Sequence, residues 1–180
     1  MTKNRLLVGI LSGDRKQKRF SGDEHYFRKI QHELATRDGV GFVFTPSGIL
    51  EKTIDGFVFE ENEWRKKTFP YPTLVYNRLP SKKTETSENV RAFFERLHKQ
   101  NIPYFNTRFI NKWETYERLA NAPHIDIRLP HTELLTDSEK AFAFLKTHSY
   151  IYVKPISGKT GKGIATLVYE NDHNVTLSTQ

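Results

Sequence analysis

Tyr150-Ile-Tyr-Val-Lys154-Pro155-Ile-Ser157-Gly158-Lys159-Thr160-Gly161-Lys162-Gly163-Ile164 reads as an apolar strand that ends in a lysine and runs into a loop of glycines and lysines. Gly158, Gly161 and Gly163 let backbone N–H groups approach an anion closely, and Lys154, Lys159 and Lys162 supply the opposing charge. Such a composition suits a clamp for a triphosphate. Gly158-Lys159-Thr160 is similar to the end of a P-loop, but that pattern needs a glycine five residues earlier, where Val153 stands. A P-loop also opens a helix, whereas Ile164-Ala-Thr-Leu-Val-Tyr169 is apolar and β-branched and reads as a strand. No G-x-G-x-x-G pattern occurs. Strand, basic loop and strand together make a flap that closes over phosphates, while the same residues equally suit a polar hairpin with no ligand.

Upstream of this hairpin the chain alternates strand and helix patterns. Leu6 to Leu11 reads as a buried strand, and Ser21-Gly-Asp-Glu24 as a capping box that opens a helix carrying Tyr26, Phe27, Ile30 and Leu34 on one face, ending near Asp38-Gly39. Val40 to Phe44 is a second strand, closed by Thr45-Pro-Ser-Gly48. Two short strands, Asp55 to Phe59 and Thr73 to Asn77, flank a charged segment around Trp64-Arg65-Lys66-Lys67. Val90, Phe93, Phe94 and Leu97 mark a further helix capped by Ser87 or Thr84, and Ile102 to Phe105 a strand that, given Pro103, lies at an edge or begins there. Alternation of this kind predicts a small parallel α/β domain over residues 1–106. A second unit, 107–180, begins with Asn111-Lys112-Trp113-Glu114 as helix cap and first turn. A strand at His131 to Leu135 follows, then a capping box at Thr136-Asp-Ser-Glu139 with a helix to about His148, and last the glycine-lysine hairpin and a polar tail.

Composition narrows the classes. At 180 residues the chain can bury one good core or two small ones. A hydrophobic content of 37% with recurring apolar segments argues against disorder, and the mean hydropathy is −0.63. No run approaches the roughly 18 apolar residues of a membrane span, so no membrane partner is expected. Absence of cysteine excludes disulfides and thiolate metal sites, and the default expectation is the cytoplasm. The seven histidines have no metal-ligand spacing, so no metal site is assigned. A net charge of +7 favours an anionic partner, namely a nucleotide, a nucleic acid or a polyanion. Nucleic acid ranks last because no helix-turn-helix, RNA-recognition or zinc pattern accompanies the charge. The densest basic run, Arg15-Lys16-Gln17-Lys18-Arg19, follows the first strand and reads first as a solvated loop.

Tyr152-Val153-Lys154-Pro155 with Gly158 and Gly161-Lys162-Gly163-Ile164 resembles the N-terminal half of an ATP-grasp nucleotide site. Added to Tyr76-Asn77-Arg78 and to Phe105-Asn106-Thr107-Arg108-Phe109-Ile110-Asn111-Lys112-Trp113-Glu114-Thr115, the chain resembles the YheC/YheD-like family of endospore coat-associated proteins. The resemblance implies a pre-ATP-grasp α/β domain over 1–106 and a truncated first ATP-grasp subdomain over 107–180. It also implies ATP with Mg as cofactor, and an ATP-dependent carboxylate-amine ligation through an acyl phosphate. Lys154 resembles the ATP-grasp lysine that touches the α-phosphate and the adenine edge, and Lys112 the second lysine near the phosphates. Ser157 to Gly163 corresponds to the flap, with Lys159 and Lys162 as further phosphate contacts. Arg78, at a strand end, either binds a substrate carboxylate in bidentate fashion or pairs with an acid to fix the strand. Acidic Mg ligands cannot be assigned in the chain, so the expectation is a fragment or truncated member that by itself does not catalyse ligation. The alternative is a non-catalytic spore-coat scaffold that binds a protein or polyanion.

Overall fold

A computed structural model describes residues 5–124, 126–158, 161–171 and 174–179, which divide into two units, one ending at Phe109 and one beginning at Ile110. In the first unit β1 (Leu7–Leu11) is a run of apolar residues buried on both sides, as a central parallel strand must be. β2 (Val40–Ile49) and β5 (Leu74–Asn77) flank it in parallel, and β6 (Tyr104–Phe105) extends the sheet beyond β5, also in parallel. On the other side β3 (Thr53–Glu60) and β4 (Glu63–Pro70) run antiparallel, giving the order β4-β3-β2-β1-β5-β6. The expected parallel sheet is therefore a mixed one.

Two segments account for the difference. Thr45-Pro46-Ser47-Gly48 does not end β2: the strand passes through it with a register shift between Phe44 and Ile49, a bulge that accommodates the proline. The charged segment at Trp64 to Lys67 is not a connector but the core of β4, an edge strand. There Arg65 pairs with Glu61 and Glu63, Lys67 with Glu60, and Lys66 with Asp55, so charged side chains cover a rim that would otherwise offer free pairing groups.

Adjacent β residues point to opposite faces, and each face has its own helix. Leu11, Phe42 and Phe44 pack with Phe93 and Leu97 of α3 (Glu88–Lys99), whereas Ile10 and Val43 pack with Phe20 and with Phe27 of α1 (Glu24–Ala35). Each of these fully buried aromatic and aliphatic side chains contributes about 1.5–3 kcal/mol. α1 starts as expected near Glu24, but its cap is Asp23, which accepts from the Tyr26 N–H. Ser21 instead accepts from the Gly13 N–H, tying the loop after β1 to the helix entry. Ser87 flanks α3 without a side-chain cap, and an extra turn, α2 (Lys82–Glu85), precedes it with Ser81 as its cap.

In the second unit α4 (Lys112–Ala120) is capped by Asn111, whose side chain accepts from the Glu114 N–H. α5 (Ser138–His148) is capped by Asp137 rather than Thr136, which donates to Asp137 instead. His131 to Leu135 is exposed and irregular, not a strand. β7 (Tyr150–Val153), β8 (Ala165–Asn171) and β9 (Asn174–Thr179) form an antiparallel sheet, so the expected polar tail is in part a third strand paired with β8. No described helix is long and apolar enough to cross a membrane.

Candidate functional site

The glycine-lysine loop leaves β7 at Val153, and Lys154 stands at the strand end, exposed, with its ammonium 5.2 Å from the centroid of the Tyr152 ring. Cation–π contact of this kind orients the cation without neutralising it. Gly158, Gly161 and Gly163 have φ of 140°, 75° and 74°. At Gly163 a side chain would combine that unfavourable φ with a Cβ 3.0 Å from Pro155 Cγ, so glycine is required where the loop folds back on the proline. The Ile164 N–H donates to the Gly161 carbonyl and closes the turn that leads into β8. Ser157 and Lys162 are exposed on this loop, and Lys159 lies outside the described residues.

Lys112 is the first residue of α4, and it binds the same loop. Its N–H donates to the Ile156 carbonyl at 3.0 Å, and its ammonium donates to the carbonyls of Pro155 and Gly158, both at 3.0 Å. Two of the three ammonium protons are thus spent on holding the loop, and among the described residues the third has no acceptor. α4 with its Asn111 cap, Lys112 and the start of the loop at Pro155, Ile156 and Gly158 are thus tied together across sequence segments 40 residues apart and more, while Lys154, Ser157, Gly161, Lys162 and Gly163 belong to the same loop or its root without a described contact to Lys112. Among the described residues no three His, Asp or Glu side chains converge as metal ligands.

Arg78 belongs to the first unit, one residue past β5. Its backbone N–H donates to the Leu11 carbonyl at 2.8 Å, continuing the sheet. Its exposed guanidinium lies 5.8 Å from the Tyr26 ring centroid and 5.7 Å from that of Tyr76, and among the described residues it forms no ion pair with a carboxylate. Of its two expected roles, the pairing with a strand-fixing acid is absent from the described contacts. The neighbouring Asn77 does the fixing: its amide donates to Glu85 Oε1 at 3.1 Å and to the Asn106 carbonyl at 2.9 Å, while its oxygen accepts from the Leu79 N–H. Asn106 donates back to the Asn77 carbonyl, and Glu85 also accepts from the Phe109 N–H. In the sequence Glu85 has no signal beyond a short charged stretch before α3, and Tyr26 is assigned to the apolar face of α1, where the ring is in fact exposed.

The basic run Arg15 to Arg19 is an exposed tight turn with Gln17 at φ 63°, and with Glu24 it borders an open basin of about 610 Å³. Both signs of charge line it, as in a solvated loop.

Comparison with known proteins bears on the assembly in the second unit. Residues 101–180 match the family described as YheC/D-like ATP-grasp. The chain is 35% identical over 169 residues to the endospore coat-associated protein YheD of Bacillus subtilis (strain 168), an alignment covering 89% of the chain. It spans 37% of the length of that relative. No solved structure gives a significant match. A mixed α/β chain with sheet cores fits an ATP-grasp-like fold.

Proposed function

Because the chain is related to the YheC/D-like ATP-grasp proteins and to an endospore coat-associated member, we propose that residues 107–180 are the first subdomain of an ATP-grasp nucleotide site, preceded by a domain over residues 1–106. In this reading the loop after β7 is the flap that grips the phosphates of ATP. The observation that carries it is the loop's construction: three glycines at positive φ, an exposed lysine at its root, and a second lysine that holds its carbonyls from α4.

Each residue then has a task. The amides of Ser157, Gly158, Gly161 and Gly163 donate to phosphate oxygens, which glycine permits by close backbone approach. Lys154 and Lys162 supply charge, with Lys159 beside them in the sequence, and Lys112 holds the loop while offering its third proton to the same anion. ATP, when bound, supplies the phosphoryl group that activates a carboxylate for ligation. The chain's own contribution is positioning and charge neutralisation. The residues present fit the phosphates; the magnesium that accompanies ATP in this family finds no ligand set among the described residues.

The test is the thermal midpoint with and without millimolar MgATP, on the chain and on Lys154→Ala. A ligand at a hundredfold excess over its Kd stabilises by about 2.7 kcal/mol, a shift of several degrees. A rise in the parent chain that vanishes in the variant is the expected outcome. No rise in either removes nucleotide binding from this chain.

A further inference from the structure

The carboxyl ends of the parallel strands in the first unit hold a second group of residues that the nucleotide reading does not use. From β1 the chain crosses by α1 to β2 on one side of β1, whereas from β5 it crosses by α3 to β6 on the other side. The two helices pack on opposite faces of the sheet. The connections therefore diverge between β1 and β5, and a crevice outside the carboxyl ends at such a divergence is where open α/β sheets bind their ligands. Arg78 is the first residue beyond β5 at that point, and its N–H bonds back to Leu11, the last residue of β1.

What surrounds Arg78 is chemically specific. The guanidinium lies 5.8 Å from the Tyr26 ring centroid and 5.7 Å from that of Tyr76. The nearby acids are engaged elsewhere: Asp23 caps α1, Asp14 accepts from Ser47, Glu24 accepts from Trp64 Nε1, and Glu85 accepts from Asn77 and Phe109. Thus the cation is oriented, exposed and without a carboxylate partner among the described residues. The Tyr76 phenol is held above its ordinary pKa, first by burial and then by hydrogen bonding with Tyr26, against a smaller pull from Arg78. It stays protonated at neutral pH. Each phenol carries a proton that it can offer to an acceptor. Beside them the Phe105 ring, 45% exposed, stacks on Tyr76 with centroids 4.4 Å apart and planes 14° from parallel. It provides a flat apolar surface adjoining the donors.

We propose that Arg78, Tyr26 and Tyr76 form an oxyanion-binding site at the carboxyl ends of β1 and β5, taking a small ligand that presents a carboxylate or a phosphate on a planar body lying against Phe105. The guanidinium fork binds two oxygens at once, which a lysine cannot do. The proposal deepens the reading of Arg78 as a substrate-carboxylate residue and stands independently of nucleotide binding by the second unit.

Nuclear magnetic resonance titration of the full chain, following the Arg78 Nε–H and the ring signals of Tyr26 and Tyr76, tests it with benzoate, phenyl phosphate and acetate as probes at constant ionic strength. Saturable shifts of these signals with benzoate or phenyl phosphate, weaker by tenfold or more with acetate, are expected; the tighter of the two ring-bearing probes identifies the oxyanion. Arg78→Lys, which keeps the charge and the fold but loses the fork, lowers affinity about tenfold, and Tyr26→Phe lowers it several-fold. Lys154→Ala leaves the benzoate titration unchanged, so a failure of the nucleotide reading leaves this one standing. Shifts that stay linear to tens of millimolar, that sodium chloride reproduces, or that persist unaltered in Arg78→Lys overturn the proposal.

Discussion

Single residues in this chain act through what they can donate. Lys112 was expected near phosphates, and it spends most of its capacity on two carbonyls of its own loop, because an ammonium at the start of α4 lies within reach of a backbone whose C=O groups have no strand partner. Asn77 shows the same logic in a buried setting. Only 5% exposed, it ties the turn at Leu79, α2 and the backbone at Asn106 together with its three side-chain hydrogen bonds. Asn77→Ala strips the Leu79 N–H and the Glu85 carboxylate of a partner, and the expected loss is about 1–3 kcal/mol. Urea unfolding of the variant checks this; an unchanged midpoint would show that water replaces the amide at no cost.

At the level of elements, the two strands that the sequence concealed were concealed for the same reason. β4 and β9 are edge strands, so neither is obliged to alternate apolar with polar residues. β4 declares itself only in its cross-strand partners, Lys66 with Asp55 at 2.9 Å and Thr68 with the same carboxylate at 2.7 Å. These partners, the Lys66 hydrogen bond foremost and then that of Thr68, hold the Asp55 pKa below its ordinary value of 3.8. A carboxylate whose folded pKa is depressed adds stability that is full above the unfolded value and is lost as pH falls through the folded one. Acidification below about pH 4 should therefore lower the unfolding midpoint of the first unit, and Asp55→Asn should flatten that decline while costing stability at neutral pH. Parallel pH profiles of the two proteins would contradict it.

Across the whole molecule the burial is uneven. Among the described residues, only Leu145 and Ile151 of the fully or nearly fully buried apolar side chains lie in the second unit; the rest, from Val8 to Leu97, are in the first. Every described residue of β9 is exposed, Leu177 at 61%. Opening free energy follows buried contacts, so hydrogen exchange should be slowest in β1, β2 and β5 and fast in β9. Mass-spectrometric exchange that finds β9 protected as long as β1 would refute this ordering. The sequence by itself determined the strand and helix cores whose periodicity reflects burial: β1, the first part of β2, α1, α3 and the β7–β8 hairpin, together with a similarity over residues 101–180 to the YheC/D-like ATP-grasp family. It could not determine the antiparallel flank of the first sheet, the third strand of the second, or the irregular path at His131 to Leu135, because the pairing of an exposed strand is chosen by its neighbour and not by its own pattern. Tertiary structure alone decided that Tyr26 and Tyr76 meet at Arg78 and that Lys112 meets Pro155 and Gly158. Tyr26 and Arg78, like Lys112 and its two carbonyl partners, are tens of positions apart, and only the tertiary fold brings them into contact.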